Sequence, residues 1–241
     1  MKLFITSSPF VDGADRAIMD PQNGLINRLK TVLPPYCRCL YISATPDRRD
    51  LNCTFGADVF QIFAQEGMAF SHYTVLDGDN MYEAKKLVGE SDLIVLGGGH
   101  VPTQNAFFHR VRLPDLLQGY DGVVLGISAG SMNMAETVYA QPEEVGETSP
   151  NYRRFIPGLG LTQVNILPHY QKAKYYTVDG QHLYNEITLP DSMGHTFYAL
   201  PDGSYIYQDE YQLLLCGEGY YIRDGMMEQI TNNGEILALP R

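Results

Sequence analysis

Asp121-Gly-Val-Val-Leu-Gly-Ile-Ser-Ala-Gly-Ser-Met-Asn-Met-Ala-Glu136 predicts a buried strand that turns abruptly into a helix. Val123–Ile127 is β-branched and mostly apolar, which is typical of a strand buried on both faces of a parallel sheet. Residues 131–136 can then continue as a helix. We therefore expect a sharp strand-to-helix turn centred on Ser128.

The turn itself, Gly126-Ile-Ser-Ala-Gly130, fits the Gly-x-Ser-x-Gly pattern of a nucleophile elbow. In such an elbow the backbone of the serine is strained, and small neighbours let the strand and the helix pass each other. The Ser128 hydroxyl is then expected at the carboxyl end of the sheet, above a helix amino end that favours a developing oxyanion. The same residues also occur in strand-to-helix turns that have no catalytic role. The surrounding sequence is therefore needed to identify Ser128 as a nucleophile.

The sequence before this turn alternates predicted strands with predicted helices. Strands are expected at residues 1–6, 37–43, 72–76 and 93–96, and helices at residues 23–32, 59–64 and 81–88. This alternation indicates an α/β fold with a mostly parallel sheet sandwiched by helices. Sites in such folds lie at the carboxyl ends of the strands.

The sequence after the turn has a different character. Residues 137–160 carry three prolines without a clear period, which predicts an excursion over the surface, and residues 182–187 predict a short helix. From residue 196 onward, alternating apolar residues predict antiparallel β-hairpins that extend or flank the main sheet. Pro201-Asp202-Gly203 and Asp224-Gly225 are expected to be hairpin-type turns.

The composition limits the class of protein and its partners. The 241 residues, 44% hydrophobic and 19% charged, are expected to form a single α/β domain over residues 1–241. The formal net charge of −11 argues against nucleic acid and acidic membranes as partners, because both require a basic face. No signal-peptide core follows Lys2, and no apolar run approaches the roughly 18 residues of a membrane span. We therefore expect a cytoplasmic protein.

No metal or cofactor motif stands out. The four cysteines show no CxxC and no zinc-finger spacing, and Cys37 and Cys39 are expected on one buried face of a strand. Gly97-Gly-Gly99 can bring backbone N–H groups close to a ligand, but neither GxxxxGK nor GxGxxG follows. We expect neither a metal nor a cofactor.

A serine nucleophile needs a base, and His169 is the best placed of the six histidines. It follows Pro168 at the carboxyl end of a predicted strand, on the sheet edge where Ser128 is expected. Four other histidines are expected to be structural or on the surface: His72, His109, His182 and His195.

Four motifs in this order resemble the peptidase E and cyanophycinase family of serine peptidases. They are Gly97-Gly-Gly99, Gly126-Ile-Ser-Ala-Gly-Ser131, Gly158-Leu-Gly-Leu161 and Pro168-His-Tyr170. The resemblance covers residues 90–205. It implies a flavodoxin-like or class I glutamine amidotransferase-like α/β sandwich. It also implies a hydrolytic domain that cleaves a small peptide or amide through an acyl-enzyme, as a dipeptidase does.

The resemblance also implies roles for individual residues. It makes Ser128 the nucleophile and His169 the base of a catalytic triad. The oxyanion donors would be the backbone N–H groups of Gly98 or Gly99 and of Ala129.

The triad acid has two candidates. Asp202 follows His169 by an interval that resembles the Ser-His-Glu arrangement of the family, although Pro-Asp-Gly is also a common turn in which the aspartate is only a cap. Glu143 is the alternative, because an aspartate after the serine has also been proposed for the family. We expect Asp202 to be the acid.

Two departures from the family concern the substrate. His100 stands where the family usually has asparagine, and it could reach into the substrate pocket. Aspartyl-cleaving members carry an arginine after the histidine, but residues 179–187 contain none. Lys172 or Lys174 could bind a substrate carboxylate instead, or both could only solvate a loop. We therefore expect an enzyme that is not a strict Asp-X dipeptidase.

Two other interpretations stay open at this point. An α/β-hydrolase esterase shares Gly-x-Ser-x-Gly, but it would normally place its histidine near the chain end, and no histidine follows His195 here. A non-catalytic ligand-binding member of the same fold is favoured by His100 and the missing arginine, and opposed by Ser128 and His169. The sequence is compatible with a homodimer.

Overall fold

The computed structural model describes residues 1–12 and 17–240 of the chain. The strands in chain order are β1 Lys2–Thr6, β2 Phe10–Asp12, β3 Ala17–Met19, β4 Cys37–Ile42, β5 Phe70–Leu76, β6 Leu93–Leu96, β7 Val123–Ile127, β8 Thr137–Tyr139, β9 Phe155–Pro157, β10 Ile166–Leu167, β11 Thr177–Val178, β12 Gln181–His182, β13 Thr196–Ala199, β14 Tyr205–Gln208, β15 Leu213–Cys216, β16 Gly219–Arg223, β17 Met226–Thr231 and β18 Ile236–Ala238.

The described residues contain fewer helices than strands. They are α1 Leu25–Val32, α2 Arg49–Gln65, α3 Ala84–Gly89, α4 Val101–Arg110, α5 Leu113–Leu116, α6 Ala129–Met132, α7 Tyr170–Ala173 and α8 Leu189–Asp191, with a 3₁₀ turn at Met81–Glu83 and a π-helix at Leu183–Thr188. None of those within the described residues is both long and apolar enough to cross a membrane.

An eight-stranded sheet forms the centre of the fold, in the order β18-β15-β14-β1-β7-β6-β4-β5. The five strands from β1 to β5 in this order pair in parallel, whereas β14, β15 and β18 pair antiparallel and extend the sheet beyond β1. The mostly parallel sheet and the antiparallel extension predicted from the sequence are therefore confirmed. β1 and β7 lie side by side in the middle, so their carboxyl ends meet at one edge.

The central sheet is covered on both faces. Alternate residues of its strands enter two cores, because side chains alternate between the faces of a strand. Leu3 and Ile5 pack on one face with α3, α4 and a second, four-stranded sheet ordered β10-β13-β16-β17. Phe4 packs on the other face with α1 and α2. Cys37 and Cys39 are both buried in this second core, on one face as expected.

The structure differs from the expectation at Pro201-Asp202-Gly203, which is not a hairpin turn. β13 belongs to the four-stranded sheet and β14 to the central sheet, so this turn carries the chain from one sheet to the other. Asp224-Gly225 does form the expected hairpin, between β16 and β17. Both turns contain Asp-Gly. They differ because β14 pairs with β1 of the central sheet, whereas β17 pairs back onto β16.

One helix expectation is corrected, whereas the short helix expected at residues 182–187 is present. The helix after Ser128 ends at Met132 rather than continuing through residues 131–136, because the chain turns there to pair Ala135 with Thr162. Residues 183–188 form a π-helix, with the Thr188 hydroxyl bonded to the Leu183 carbonyl within it. Residues 137–160 include the paired strands β8 and β9.

Candidate active site

The backbone of Ser128 adopts a strained conformation at the end of β7, with φ 53° and ψ −114°. Its N–H donates to the carbonyl oxygen of Ser7 at 2.8 Å, which holds the elbow against the end of β1. A Cβ at Gly126 would lie 2.6 Å from the Ser131 backbone, and a Cβ at Gly130 would lie 2.2 Å from the Leu96 carbonyl oxygen. The glycines of Gly-x-Ser-x-Gly are therefore required by close packing.

His169 lies just after β10 of the four-stranded sheet and faces Ser128. Its backbone is left-handed, with φ 57°, and this turns the ring towards the end of β7. Nε2 lies 2.9 Å from the Ser128 Oγ, and Nδ1 lies 2.7 Å from the Asp202 Oδ1. With Asp202 ionised, Nδ1–H donates to the carboxylate, which leaves Nε2 to accept the proton of Ser128.

Asp202 lies in the turn that carries the chain between the two sheets. Burial pushes the pKa of Asp202 upward, but hydrogen bonds from His169, Ser7 and Gln171 and the charge of His169 hold it below its usual value. The carboxylate Oδ2 accepts from the Gln171 side chain at 2.5 Å, and the side-chain oxygen of Gln171 accepts from the Asp202 N–H at 3.1 Å. Asp202 is therefore fixed as an ionised acceptor.

Ser7 connects all three of these residues, and sequence reasoning missed it. Its hydroxyl donates to Asp202 Oδ1 at 2.9 Å and accepts from the backbone N–H of His169 at 2.7 Å, while its carbonyl accepts from Ser128. The side chain is completely buried. The signal was available, because Ser7 is a polar residue directly after the carboxyl end of a central parallel strand.

The backbone N–H groups expected to stabilise an oxyanion lie around Ser128. Ala129 is the first residue of α6, where an N–H has no intrahelical partner. Gly98 lies beside the elbow, since a Cβ there would be 3.5 Å from the Ser128 Cβ, and Gly99 lines the same cavity as Ser128. Within residues 1–12 and 17–240, the N–H groups of Gly98, Gly99 and Ala129 make no hydrogen bond.

A cavity of about 490 Å³ opens at Ser128 and His169. Glu143 also lines it, and so does an apolar wall of Ala173, Val178 and Leu183. A larger depression of about 670 Å³ lies beside Met1, near the amino end of β1. No serine, cysteine or histidine lines that depression, so the smaller cavity is the candidate active site.

The other predicted site residues lie outside this cavity. His100 is held by Thr103 and Glu147, with a distance of 2.8 Å to each, and so does not reach into the pocket. Lys172 Nζ lies 3.9 Å from Asp202 Oδ2, and the Lys174 ammonium lies over the rings of Tyr170 and Tyr175. Neither lysine lines the cavity.

Among the described residues, one group has the spacing to hold a cation: His100, Glu144 and Glu147. His100 and Glu147 bond each other, and the second oxygen of Glu147 accepts the N–H groups of residues 143 and 144. Because the ligand atoms of His100 and Glu147 are engaged in these bonds, the arrangement gives no reason to expect a metal.

Comparison with known proteins identifies the family of the chain. Residues 48–216 match the model of Peptidase family S51, which is more than half of the chain. No curated protein matches the chain.

Two solved structures share the fold. A peptidase from an acI-B1 Actinobacterium is 17% identical with a TM-score of 0.63, over 99% of this chain and 96% of that one. A putative peptidase E protein from Listeria monocytogenes EGD-e is 14% identical with a TM-score of 0.60, over 95% of this chain and 98% of that one. The likeness to these structures confirms the predicted fold, and the family match excludes the α/β-hydrolase alternative. The chain therefore belongs to peptidase family S51, a family of serine peptidases.

Proposed function

We propose that the chain hydrolyses a small peptide or amide through an acyl-enzyme on Ser128. The observation that carries the proposal is the unbroken line of hydrogen bonds from Ser128 Oγ through His169 to Asp202, at 2.9 and 2.7 Å. The cavity volume of about 490 Å³ fits a ligand of a few residues. The fold and family support a peptidase rather than a binding protein.

The proposed reaction has two halves. His169 Nε2 takes the Ser128 proton while Oγ attacks the carbonyl carbon, and the resulting oxyanion is held by N–H groups of Gly98 or Gly99 and Ala129. The imidazolium then gives its proton to the leaving nitrogen as the C–N bond breaks. A water molecule, deprotonated by His169, then attacks the acyl carbon. The bond between that carbon and Ser128 Oγ breaks, the acid leaves, and the His169 imidazolium returns the proton to Oγ.

We assign the triad acid to Asp202 rather than to Glu143. Asp202 occupies the Nδ1 side of His169, the position that selects the reactive tautomer of the ring. Glu143 lines the cavity but makes no hydrogen bond to His169 or Ser128 within the described residues. A carboxylate in that position can contact a substrate, but it cannot orient the base.

We further propose that the enzyme is not a strict Asp-X dipeptidase. A buried substrate carboxylate needs a fixed cation, because desolvation without one is costly. No lysine or arginine of the described residues lines the cavity. The four cysteines are free thiols, which favours a reducing compartment such as the cytoplasm.

A dipeptide and isopeptide library, assayed with the parent and with Ser128→Ala, tests the proposal. We expect turnover of at least one substrate by the parent and a loss on the order of 10⁶ in Ser128→Ala. Asp202→Asn should lose roughly 10⁴ and Glu143→Gln much less on an uncharged substrate. If Ser128→Ala keeps more than a few per cent of the parent activity, the assigned nucleophile is wrong.

A further inference from the structure

Glu143 is an acidic side chain in the candidate active site with no partner of its own. Its backbone N–H donates to Glu147, but its carboxylate makes no hydrogen bond or ion pair with any residue in the described ranges. The Glu143 residue is exposed to solvent, and its side chain lines the cavity. Partial desolvation by the surrounding protein raises the pKa of Glu143, against the lowering effect of the His100 and His169 charges.

No lysine or arginine of the described residues lines the cavity to pair with Glu143. The nearby carboxylates of Glu144 and Glu147 raise its pKa further. The two lysines closest in sequence to His169 are directed elsewhere, Lys172 towards Asp202 and Lys174 onto tyrosine rings. A carboxylate that lines the substrate cavity without a partner among the described residues is free to pair with a cationic group of the substrate.

We propose that Glu143 binds a positively charged nitrogen of the substrate and so selects cationic peptides. This inference rests on the proposed function, because it takes the Ser128 cavity to be the substrate site. The apolar wall of Ala173, Val178 and Leu183 suits the aliphatic stem of a lysine or arginine side chain whose charged head reaches Glu143. The same carboxylate could bind the α-ammonium group of an N-terminal residue, and the test separates these two sources.

The test compares four dipeptides that differ in which ammonium groups they carry. Lys-Leu carries both ammonium groups, norleucyl-Leu keeps only the α-ammonium, Nα-acetyl-Lys-Leu keeps only the side-chain ammonium, and Nα-acetyl-norleucyl-Leu has neither. We expect the cationic peptide that Glu143 recognises to exceed its neutral counterpart in kcat/KM by at least about tenfold. If Nα-acetylation lowers kcat/KM, Glu143 binds the α-ammonium group. If the change from lysine to norleucine lowers kcat/KM, Glu143 binds the side-chain ammonium group.

Two variants show whether Glu143 causes this preference. In Glu143→Gln the ratio of kcat/KM between cationic and neutral peptides should fall towards one. The matched control is Glu144→Gln, which removes the same charge from the next residue, outside the cavity, and should keep the parent ratio. A preference for neutral peptides in the parent, or a ratio unchanged in Glu143→Gln, would overturn the inference while leaving Ser128 as the nucleophile.

A binding measurement keeps the inference testable if no dipeptide is turned over. Calorimetry with Ser128→Ala should show lysinamide binding at least about tenfold more tightly than Nα-acetyl-norleucinamide, which has no ammonium group. The added substitution Glu143→Gln should remove the difference. Equal binding of the two amides refutes the role of Glu143, whereas turnover that survives Ser128→Ala refutes the proposed function instead.

Discussion

At the scale of single residues, Ser7 shows how a side chain away from the chemistry can govern it. It bonds the backbone of His169 and the carboxylate of Asp202 with one buried hydroxyl, so it fixes the distance between base and acid. The sequence predicted the three residues of the proposed triad but not Ser7. A single serine after a strand belongs to no motif with a recognisable spacing.

We expect Ser7→Ala to lower kcat by roughly 10- to 100-fold with a smaller change in KM, because His169 and Asp202 lose a shared hydrogen bond of about 1–3 kcal/mol. Steady-state kinetics on any confirmed substrate measures this. Ser8→Ala is the matched control, since among the described residues the Ser8 hydroxyl bonds only Phe10, in a local turn. Equal effects of the two substitutions would show that Ser7 is only structural.

A second residue-scale prediction concerns the pH dependence of stability in the absence of substrate. Because the folded-state pKa of Glu143 is raised, folding favours its protonated form. That contribution is present below roughly pH 4.3, the usual value for an unfolded chain, and is lost as the pH rises through the folded-state pKa. Ionised Glu143 therefore destabilises the free protein at neutral pH.

Glu143→Gln should increase the free energy of unfolding relative to the parent at pH 7.5 and change it much less at pH 4. The increase should be small, because water reaches the carboxylate through the cavity. Urea unfolding at both pH values measures this, with Glu144→Gln as the control. If Glu143→Gln has a lower free energy of unfolding than the parent at pH 7.5, the ionised carboxylate has a stabilising partner and the prediction is wrong.

At the scale of elements, the turn from β7 into α6 depends on close contact between the strand end and the helix. Gly130→Ala would press a methyl group against the Leu96 carbonyl oxygen, and overpacking of this kind costs about 1–3 kcal/mol. Gly89→Ala is the control, because no atom of the residues that the structure describes lies within 4 Å of its added Cβ. Denaturant unfolding should show destabilisation only in Gly130→Ala. Equal stability of both variants would contradict the packing argument.

Elements with a strong local pattern were predictable from the sequence. The parallel strands and the elbow follow from apolar runs and from glycines at positions where close packing excludes a side chain. The turn at Pro201-Asp202-Gly203 was not predictable, because its local chemistry is that of a hairpin. Its geometry depends on β14 pairing with β1, a contact between residues about 200 positions apart in sequence.

The candidate site was predictable only in part for the same reason. Ser128 could be found from a local motif, and His169 from the strand that precedes it. Asp202 was expected from a family resemblance, and its contact with His169 depends on the crossing between the two sheets. The position of His100 against Glu147, away from the cavity, depends on a loop with no periodicity and could not be predicted.

At the scale of the whole molecule, the proposed catalytic machinery exists only when two sheets are assembled. Ser7 and Ser128 follow adjacent strands of the central sheet, whereas His169 and Asp202 follow neighbouring strands of the four-stranded sheet. No single segment contains the site. An activated serine is therefore a property of the folded chain, and unfolding should remove its reactivity.

Labelling with a fluorophosphonate probe, followed by mass spectrometry of the modified peptide, tests the activation of Ser128 by His169 directly. In the folded parent we expect one label per chain, on Ser128, with none in Ser128→Ala and a rate lower by several orders of magnitude in His169→Ala. The unfolded parent in urea should not react. A label on any other residue, or a folded His169→Ala that reacts as fast as the parent, would contradict the account.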